Sequence, residues 1–94
     1  MKIDINNVKV ESMESSRGNE VPNQFKIETP EGVFFQSYKS IIAVIRLNGD
    51  IELDEKYWDW SVTTSKYRNS FLNMKTKDIK KAISTGEIVL KNLN

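Results

Sequence analysis

Cysteine and histidine are both absent from this chain of 94 residues. Without cysteine the chain can form neither a disulfide nor a thiolate metal site, so we expect a reducing, cytoplasmic compartment. Without histidine it lacks the commonest general base and most zinc ligand sets. These two absences exclude most hydrolase mechanisms. We therefore predict a protein that is not an enzyme, with no catalytic residues, no metal and no cofactor.

Long apolar runs and glycine-rich phosphate loops are absent as well. No stretch of about twenty apolar residues is present, and the N-terminus, MKIDINNVKV, lacks the apolar segment of a secretory signal. The four glycines do not cluster, which excludes a phosphate loop. TTSK, at 63–66, matches the spacing of a lysine-activated nucleophile, but its companion motifs are missing. We expect no membrane insertion, no export and no enzymatic activity.

Net charge is small but unevenly distributed along the chain. The total is +1, which argues against a purely electrostatic nucleic-acid binder. Residues 1–55 contain six Lys/Arg against ten Asp/Glu, a balance of −4. Residues 56–94 contain eight against three, a balance of +5. The sequence therefore predicts an acidic front and a basic back.

Alternating apolar and polar residues predict strands in the first half of the chain. The pattern begins at KIDI and VKVE, through Ile3, Ile5, Val8 and Val10, and returns at QFKIE, VFFQSY and DIELD. TPEG and Asn48-Gly49 predict tight turns, and the apolar run SIIAVIRL at 40–47 predicts a central strand. Residues 12–23 are polar and without a period, which predicts a mobile loop.

From Ser61 onward the spacing becomes helical. Trp60, Thr64, Tyr67 and Phe71 lie at i, i+4, i+7 and i+11, which predicts one buried helix face. A second helix is predicted to start at Thr76, with Asp78 in its first turn, and to stop at Gly86, and EIVLKNL predicts a closing strand. We predict a single domain over 1–94 of the α+β class: an antiparallel sheet of four to six strands with two helices from the C-terminal half packed on one face.

Three carboxylates alternate along one predicted strand. Asp50, Glu52 and Asp54 therefore point to the same face, where a divalent cation could be held. Alternation with Ile51 and Leu53 already explains the pattern. We predict the solvated face of an edge strand and no metal site.

Basic and aromatic residues are interleaved from Tyr57 to Lys81, a combination that holds single-stranded nucleic acid. Burial of Trp60, Tyr67 and Phe71 in the core is the competing interpretation, and we expect it for those three. Either Trp58 or Tyr57 is then exposed. Lys66 and Arg68 flank Tyr67 and are expected to face solvent. The predicted partner-binding residues are Tyr57, Trp58, Lys66, Arg68, Lys75, Lys77, Lys80 and Lys81.

Three segments carry a family resemblance: GVFFQSYKSIIAVI, LDEKYWDWSVTTSKYRNSFL and KKAISTGEIVLKNL. Over roughly residues 23–94 they resemble a family of small, uncharacterised proteins encoded mainly by bacteriophages and related mobile elements. The resemblance implies a context, the cytoplasm of a host bacterial cell, and supplies no functional residues. Short phage accessory proteins usually act by binding, and inhibitors of CRISPR effectors are one class of them.

Our leading hypothesis is a phage-type inhibitor that binds a host protein or ribonucleoprotein. One alternative is a module that binds single-stranded RNA or DNA with the same residues. Another is a structural or assembly protein of a virion, which would form a stable homo-oligomer. The sequence does not predict the identity of the partner or the oligomeric state.

Overall fold

Residues 7–94, as described by a computed structural model, form six strands and two helices. The elements are β1 (Lys9–Glu14), β2 (Glu20–Thr29), β3 (Gly32–Ser37), β4 (Ser40–Arg46), β5 (Ile51–Asp54), α1 (Val62–Leu72), α2 (Thr76–Thr85) and β6 (Ile88–Lys91). The predicted α+β class, with both helices in the C-terminal half, is confirmed.

The six strands form one sheet in the order β1-β2-β3-β4-β5-β6. Neighbours from β1 to β5 are antiparallel, but β6 runs parallel to β5, with Leu53 opposite Leu90. Two helices connect β5 to β6 and return the chain to the end of the sheet where β5 begins, which a short hairpin cannot do. The sheet is therefore mixed, whereas the sequence predicted an antiparallel one.

The hydrophobic core lies between the sheet and the helices. Its buried members are Phe35, Ile42, Ala43, Leu53, Tyr67, Leu72, Ile79, Ala82 and Ile88. On the sheet side, Phe35 stacks on Phe71 of α1 with ring centroids 5.7 Å apart. A β-bulge leaves Ile42 without a partner residue in β3, and both Ile42 and Ala43 are buried in this core.

Side chains at the helix ends fix where α1 begins and ends. Ser61 has an extended backbone, and its hydroxyl accepts the N–H of Thr64 at 3.1 Å. At the other end Asn73 adopts the left-handed conformation, with φ of 54°. These two caps pair backbone groups that the helix itself leaves unpaired.

The segment 12–23, predicted as a loop, differs in the structure. β1 extends to Glu14 and β2 begins at Glu20, so a short turn over 15–19 is all that separates them. Gly18 donates its N–H to the Ser15 carbonyl at 2.9 Å within this turn. An edge hairpin needs backbone pairing more than apolar alternation, which explains why the pattern missed it. The strand predicted through Ile3 and Ile5 lies outside the described residues.

The acidic strand is not an edge strand either, because β5 lies between β4 and β6. Glu52 is buried and accepts from Arg46 at 2.8 Å and Lys91 at 3.1 Å. Asp54 is buried too, and accepts the backbone N–H groups of Lys56, Tyr57 and Leu93. These carboxylates therefore pair with cations and backbone, which corrects the predicted solvated face.

Within residues 7–94 no cluster of three acidic side chains has the geometry to hold a metal ion. Over the same residues, neither helix has the length and apolar character needed to span a membrane.

Candidate functional site

Arg68 is buried, contrary to the prediction that it faces solvent. Its exposed fraction is 0%, and its guanidinium donates to the Trp58 carbonyl at 2.6 Å and to Asp59 at 3.1 Å. The second guanidinium nitrogen donates to Asn69 at 2.9 Å and to Thr76 at 3.1 Å. Arg68 thus joins the segment before α1, α1 itself and the first residue of α2.

Trp58 is half-buried and packs against the core, so it is a supporting residue. Arg68 lies over its ring, with the guanidinium carbon 5.2 Å from the centroid. The Ser65 hydroxyl, at 2.9 Å, and then the Arg68 guanidinium hold the pKa of the neighbouring Asp59 below its ordinary value, although burial opposes them. The turn over 55–59 covers the helix face that carries Arg68, which is why that face is buried.

Trp60 is the opposite case, because 63% of it is exposed although we predicted it to be core. It precedes the N-cap Ser61, whose φ of −150° is extended, so helical spacing does not apply to it. The ring of Trp60 meets Tyr57 edge to face with centroids 5.0 Å apart. Tyr57 is half-buried. Of the three residues predicted on the helix stripe, Tyr67 is buried and Phe71 half-buried.

The predicted lysines are all exposed. Lys66 lies on α1, with its ammonium 5.4 Å from the centroid of the Tyr67 ring. The others are on α2 or cap it: Lys75, Lys77, Lys80 and Lys81. Ile79 and Ala82 are buried on the opposite side of α2, so its lysines point away from the core.

Two exposed aromatic side chains, Tyr38 and Trp60, and the half-buried Tyr57 surround a groove between the β3–β4 turn and the first turn of α1. This groove, the aromatic groove below, has a volume of about 420 Å³. It is lined by Ser37, Tyr38, Ser40, Ile42, Tyr57, Trp60, Ser61, Thr63 and Thr64. The structure thus brings Tyr57 to the groove with Tyr38 and Trp60, and leaves Trp58, Arg68 and the α2 lysines outside its walls.

Hydroxyl groups hold the two sides of the groove together. The Ser37 and Thr64 hydroxyls lie 2.9 Å apart, and the Ser61 hydroxyl donates to Thr64 at 3.1 Å. Tyr38 sits at the rim in the left-handed conformation, with φ of 55°, and is 55% exposed. Its N–H donates to the Asn23 carbonyl at 2.7 Å. This network fixes the β3–β4 turn against α1.

Residues 8–88 match a family of unknown function, DUF8033. The chain belongs to this family. The match includes every residue of the aromatic groove and ends at Ile88, the first residue of β6. No curated protein and no solved structure matches the chain.

The groove of this DUF8033 chain offers rings and hydrogen bonds in place of charge. Among residues 7–94 no Asp, Glu, Lys or Arg lines it, and the Lys56 ammonium lies 5.2 Å from the centroid of the Tyr57 ring. Within residues 7–94 the Trp60 Nε1 and the hydroxyls of Tyr38 and Tyr57 make no hydrogen bond. The arrangement is therefore suited to binding.

Sequence reasoning missed Tyr38 and misplaced Trp60. The signal for Trp60 was its position one residue before the N-cap Ser61, outside the helix whose periodicity was applied to it. Tyr38 stands in a two-residue connection between Ser37 and Ser40, where a large aromatic has little core to enter. An aromatic in so short a turn is the pattern that could have revealed it.

Proposed function

We propose that this protein is a non-enzymatic inhibitor of a host protein or ribonucleoprotein, and that it contacts its partner through the aromatic groove. The family resemblance motivates the phage-type context. The observation that supports the contact surface is the exposure of Trp60 beside Tyr38 and Tyr57.

Exposure of Trp60 is energetically unfavourable for the isolated chain. A tryptophan can bury about 150–250 Å². With 63% of it exposed, roughly 100–160 Å² stays in water, which forgoes about 2.5–4 kcal/mol of hydrophobic stabilisation. A partner that covers the ring recovers this free energy on binding. Trp and Tyr at the centre of an interface are typical hot-spot residues.

The predicted binding residues divide into three groups under this proposal. Tyr57 contacts the partner as part of the groove. Trp58 and Arg68 support the groove from within the fold. The exposed lysines Lys66, Lys75, Lys77, Lys80 and Lys81 accelerate association with an acidic partner through their charge, since exposed charges affect the on-rate more than the affinity.

The test is capture from host lysate with immobilised wild-type protein, Trp60→Ser and Leu47→Ser. Leu47 is the matched control: it is 78% exposed and follows the last residue of β4, whereas Ser40 at the start of β4 lines the groove. Seven residues of extended chain separate the two ends by roughly 20 Å.

We expect a specific partner with wild type and Leu47→Ser and its loss with Trp60→Ser, before and after nuclease treatment. Equal capture by Trp60→Ser would refute the groove as the contact surface. Capture that disappears with nuclease in all three proteins would favour nucleic acid as the bound species.

A second candidate function, binding of single-stranded RNA or DNA, is supported by the outward face of α2. Lys77, Lys80 and Lys81 lie opposite the buried Ile79 and Ala82. Such binding depends on counterion release, so its affinity falls steeply with salt. Oligonucleotide binding that weakens from low to physiological salt, and is lost when these lysines are replaced by glutamine, would support it.

A further inference from the structure

We propose that the aromatic groove takes an extended, proline-rich segment of the partner in the polyproline II conformation. This inference rests on the proposed function, since it names the chemistry that the same surface recognises. It depends on three observations: the ring geometry, the unpaired donors and the backbone of Tyr38.

The rings of the groove are not parallel, so they form steps and not one flat platform. Tyr57 and Trp60 meet at an interplanar angle of 64°, and Tyr38 lines the same groove from the β3–β4 turn. Proline rings pack against aromatic faces, and a polyproline II segment presents them along a helix of three residues per turn. Aromatic-lined grooves are the established surface for such segments.

The aromatic groove presents side-chain groups that can donate a hydrogen bond to a ligand. The indole Nε1 of Trp60 can only donate, and the hydroxyls of Tyr38 and Tyr57 are also without a partner among residues 7–94. A polyproline II segment has the reverse character, because its carbonyls are not bonded internally and proline has no N–H. The indole N–H of Trp60 and the hydroxyls of Tyr38 and Tyr57 can therefore donate to the carbonyls of such a segment.

A scarcity of cations argues against nucleic acid as the ligand of this groove. Over the described residues no Lys or Arg lines it, and one ammonium, that of Lys56, lies 5.2 Å from the centroid of the Tyr57 ring. Contacts to phosphate dominate nucleic-acid affinity, and exposed rings alone do not replace them. The same lining has no carboxylate for a cationic peptide. What remains is a neutral segment with flat apolar side chains.

Tyr38 provides an independent indication that the groove is functional. Its φ of 55° is one that glycine or asparagine adopts at lower cost than a large aromatic. It is 55% exposed, so core packing does not offset that cost. The Tyr38 ring is thus placed at the groove rim and not in the core, where a ligand can contact it.

The test measures fluorescence anisotropy of a fluorescein-labelled decaproline titrated with the protein. A labelled Gly-Ser peptide and a labelled oligo-dT of equal length serve as comparison probes. We expect saturable binding of decaproline below about 1 mM, the weak end of specific recognition. We expect at least tenfold weaker binding by Trp60→Ser and by Tyr38→Asn, and no change for Leu47→Ser.

Tyr38→Asn keeps the experiment interpretable, because asparagine tolerates the left-handed backbone and the variant should unfold thermally as wild type does. No saturable binding of decaproline, equal binding of the Gly-Ser peptide, tighter binding of oligo-dT, or wild-type affinity in Tyr38→Asn would each overturn the inference. If decaproline does not bind but capture from lysate still depends on Trp60, this inference is wrong and the proposed function is unaffected. Capture independent of Trp60 would refute the groove as the contact surface, and this inference with it.

Discussion

Replacement of Arg68 by alanine should destabilise the protein strongly, although a basic residue on a helix surface is usually replaceable. Arg68 is fully buried and donates to the Trp58 carbonyl, Asp59, Asn69 and Thr76. Alanine removes every donor at once. It also removes the apolar stem and the guanidinium that cover the Trp58 ring.

The expected loss of unfolding free energy depends on which hydrogen-bond partners of Arg68 become hydrated once its side chain is removed. Breaking a buried ion pair from one side typically costs about 3–5 kcal/mol. Here the side chain of Asp59 is 42% exposed, so it regains solvent and the cost lies at the lower end, about 3 kcal/mol. The Trp58 carbonyl, bonded at 2.6 Å, is the acceptor whose loss contributes most. Arg68→Lys keeps the positive charge but not the planar, multiply donating guanidinium group. We therefore expect it to recover less than half of the unfolding free energy lost in Arg68→Ala.

Urea unfolding monitored by tryptophan fluorescence measures this loss, since Trp58 lies under the guanidinium. For a protein of 94 residues the total free energy of unfolding is about 5–14 kcal/mol, so a loss of about 3 kcal/mol is well resolved. Lys66→Ala, two residues earlier on the exposed face of α1, is the matched control and should stay within about 0.5 kcal/mol of wild type. A loss under about 1 kcal/mol for Arg68→Ala would refute the reasoning that buried donors hold the two helices together.

Three further predictions concern the sheet. Gly32→Ala should lower the free energy of unfolding by about 3 kcal/mol, because with φ of 140° the added Cβ would lie 2.4 Å from the Ile45 carbonyl oxygen. Gly18→Ala, in open space, should lower it by about 1 kcal/mol. Equal thermal unfolding temperatures for the two variants would contradict this prediction. Burial alone would raise the pKa of Asp54, but the N–H groups of Leu93, Tyr57 and Lys56 and the Asn94 side chain hold that pKa below its ordinary value. The ionised Asp54 therefore stabilises the fold at neutral pH, and this stabilisation is lost as the pH falls below about 4 through the lowered pKa. Asp54→Asn should flatten the acid side of a plot of unfolding free energy against pH. An unchanged acid side would show that the pKa of Asp54 is not lowered by these hydrogen bonds. Gln24 is buried and its side-chain amide has no partner within residues 7–94, so Gln24→Leu should stabilise the protein by about 1–2 kcal/mol in urea unfolding; a destabilised variant would indicate a partner outside the described residues.

Local signals in the sequence were sufficient for most of the strands and both helices. The TPEG and Asn48-Gly49 turns depend on the residues within them, and α1 depends on its Ser61 cap, so each could be predicted locally. The parallel placement of β6 could not, because it depends on how two helices carry the chain across the sheet. The burial of Glu52 and Asp54 depends on that same neighbour.

The prediction of the site residues was wrong for a related reason. Helical spacing assigns Trp60 to the buried stripe and Arg68 to the surface if the helix alone decides, as we predicted. In the structure the turn over 55–59 packs over Arg68, with Trp58 against the core and Trp60, just after the turn, exposed. No periodicity within α1 contains that information, since it arises from chain that is not helical. The bulge at Ile42, which forms part of the groove wall, is equally invisible to alternation.

The parallel β5–β6 pair also has a consequence for the order in which the strands pair during folding. Each pairing from β1 to β5 joins strands that are adjacent in sequence, so each closes a short loop at small entropic cost. β6 instead has to wait for the whole segment 55–87 to be brought back against β5. We therefore expect the five-strand meander to form first and the helices to dock with β6 afterwards, which makes that docking the rate-limiting event.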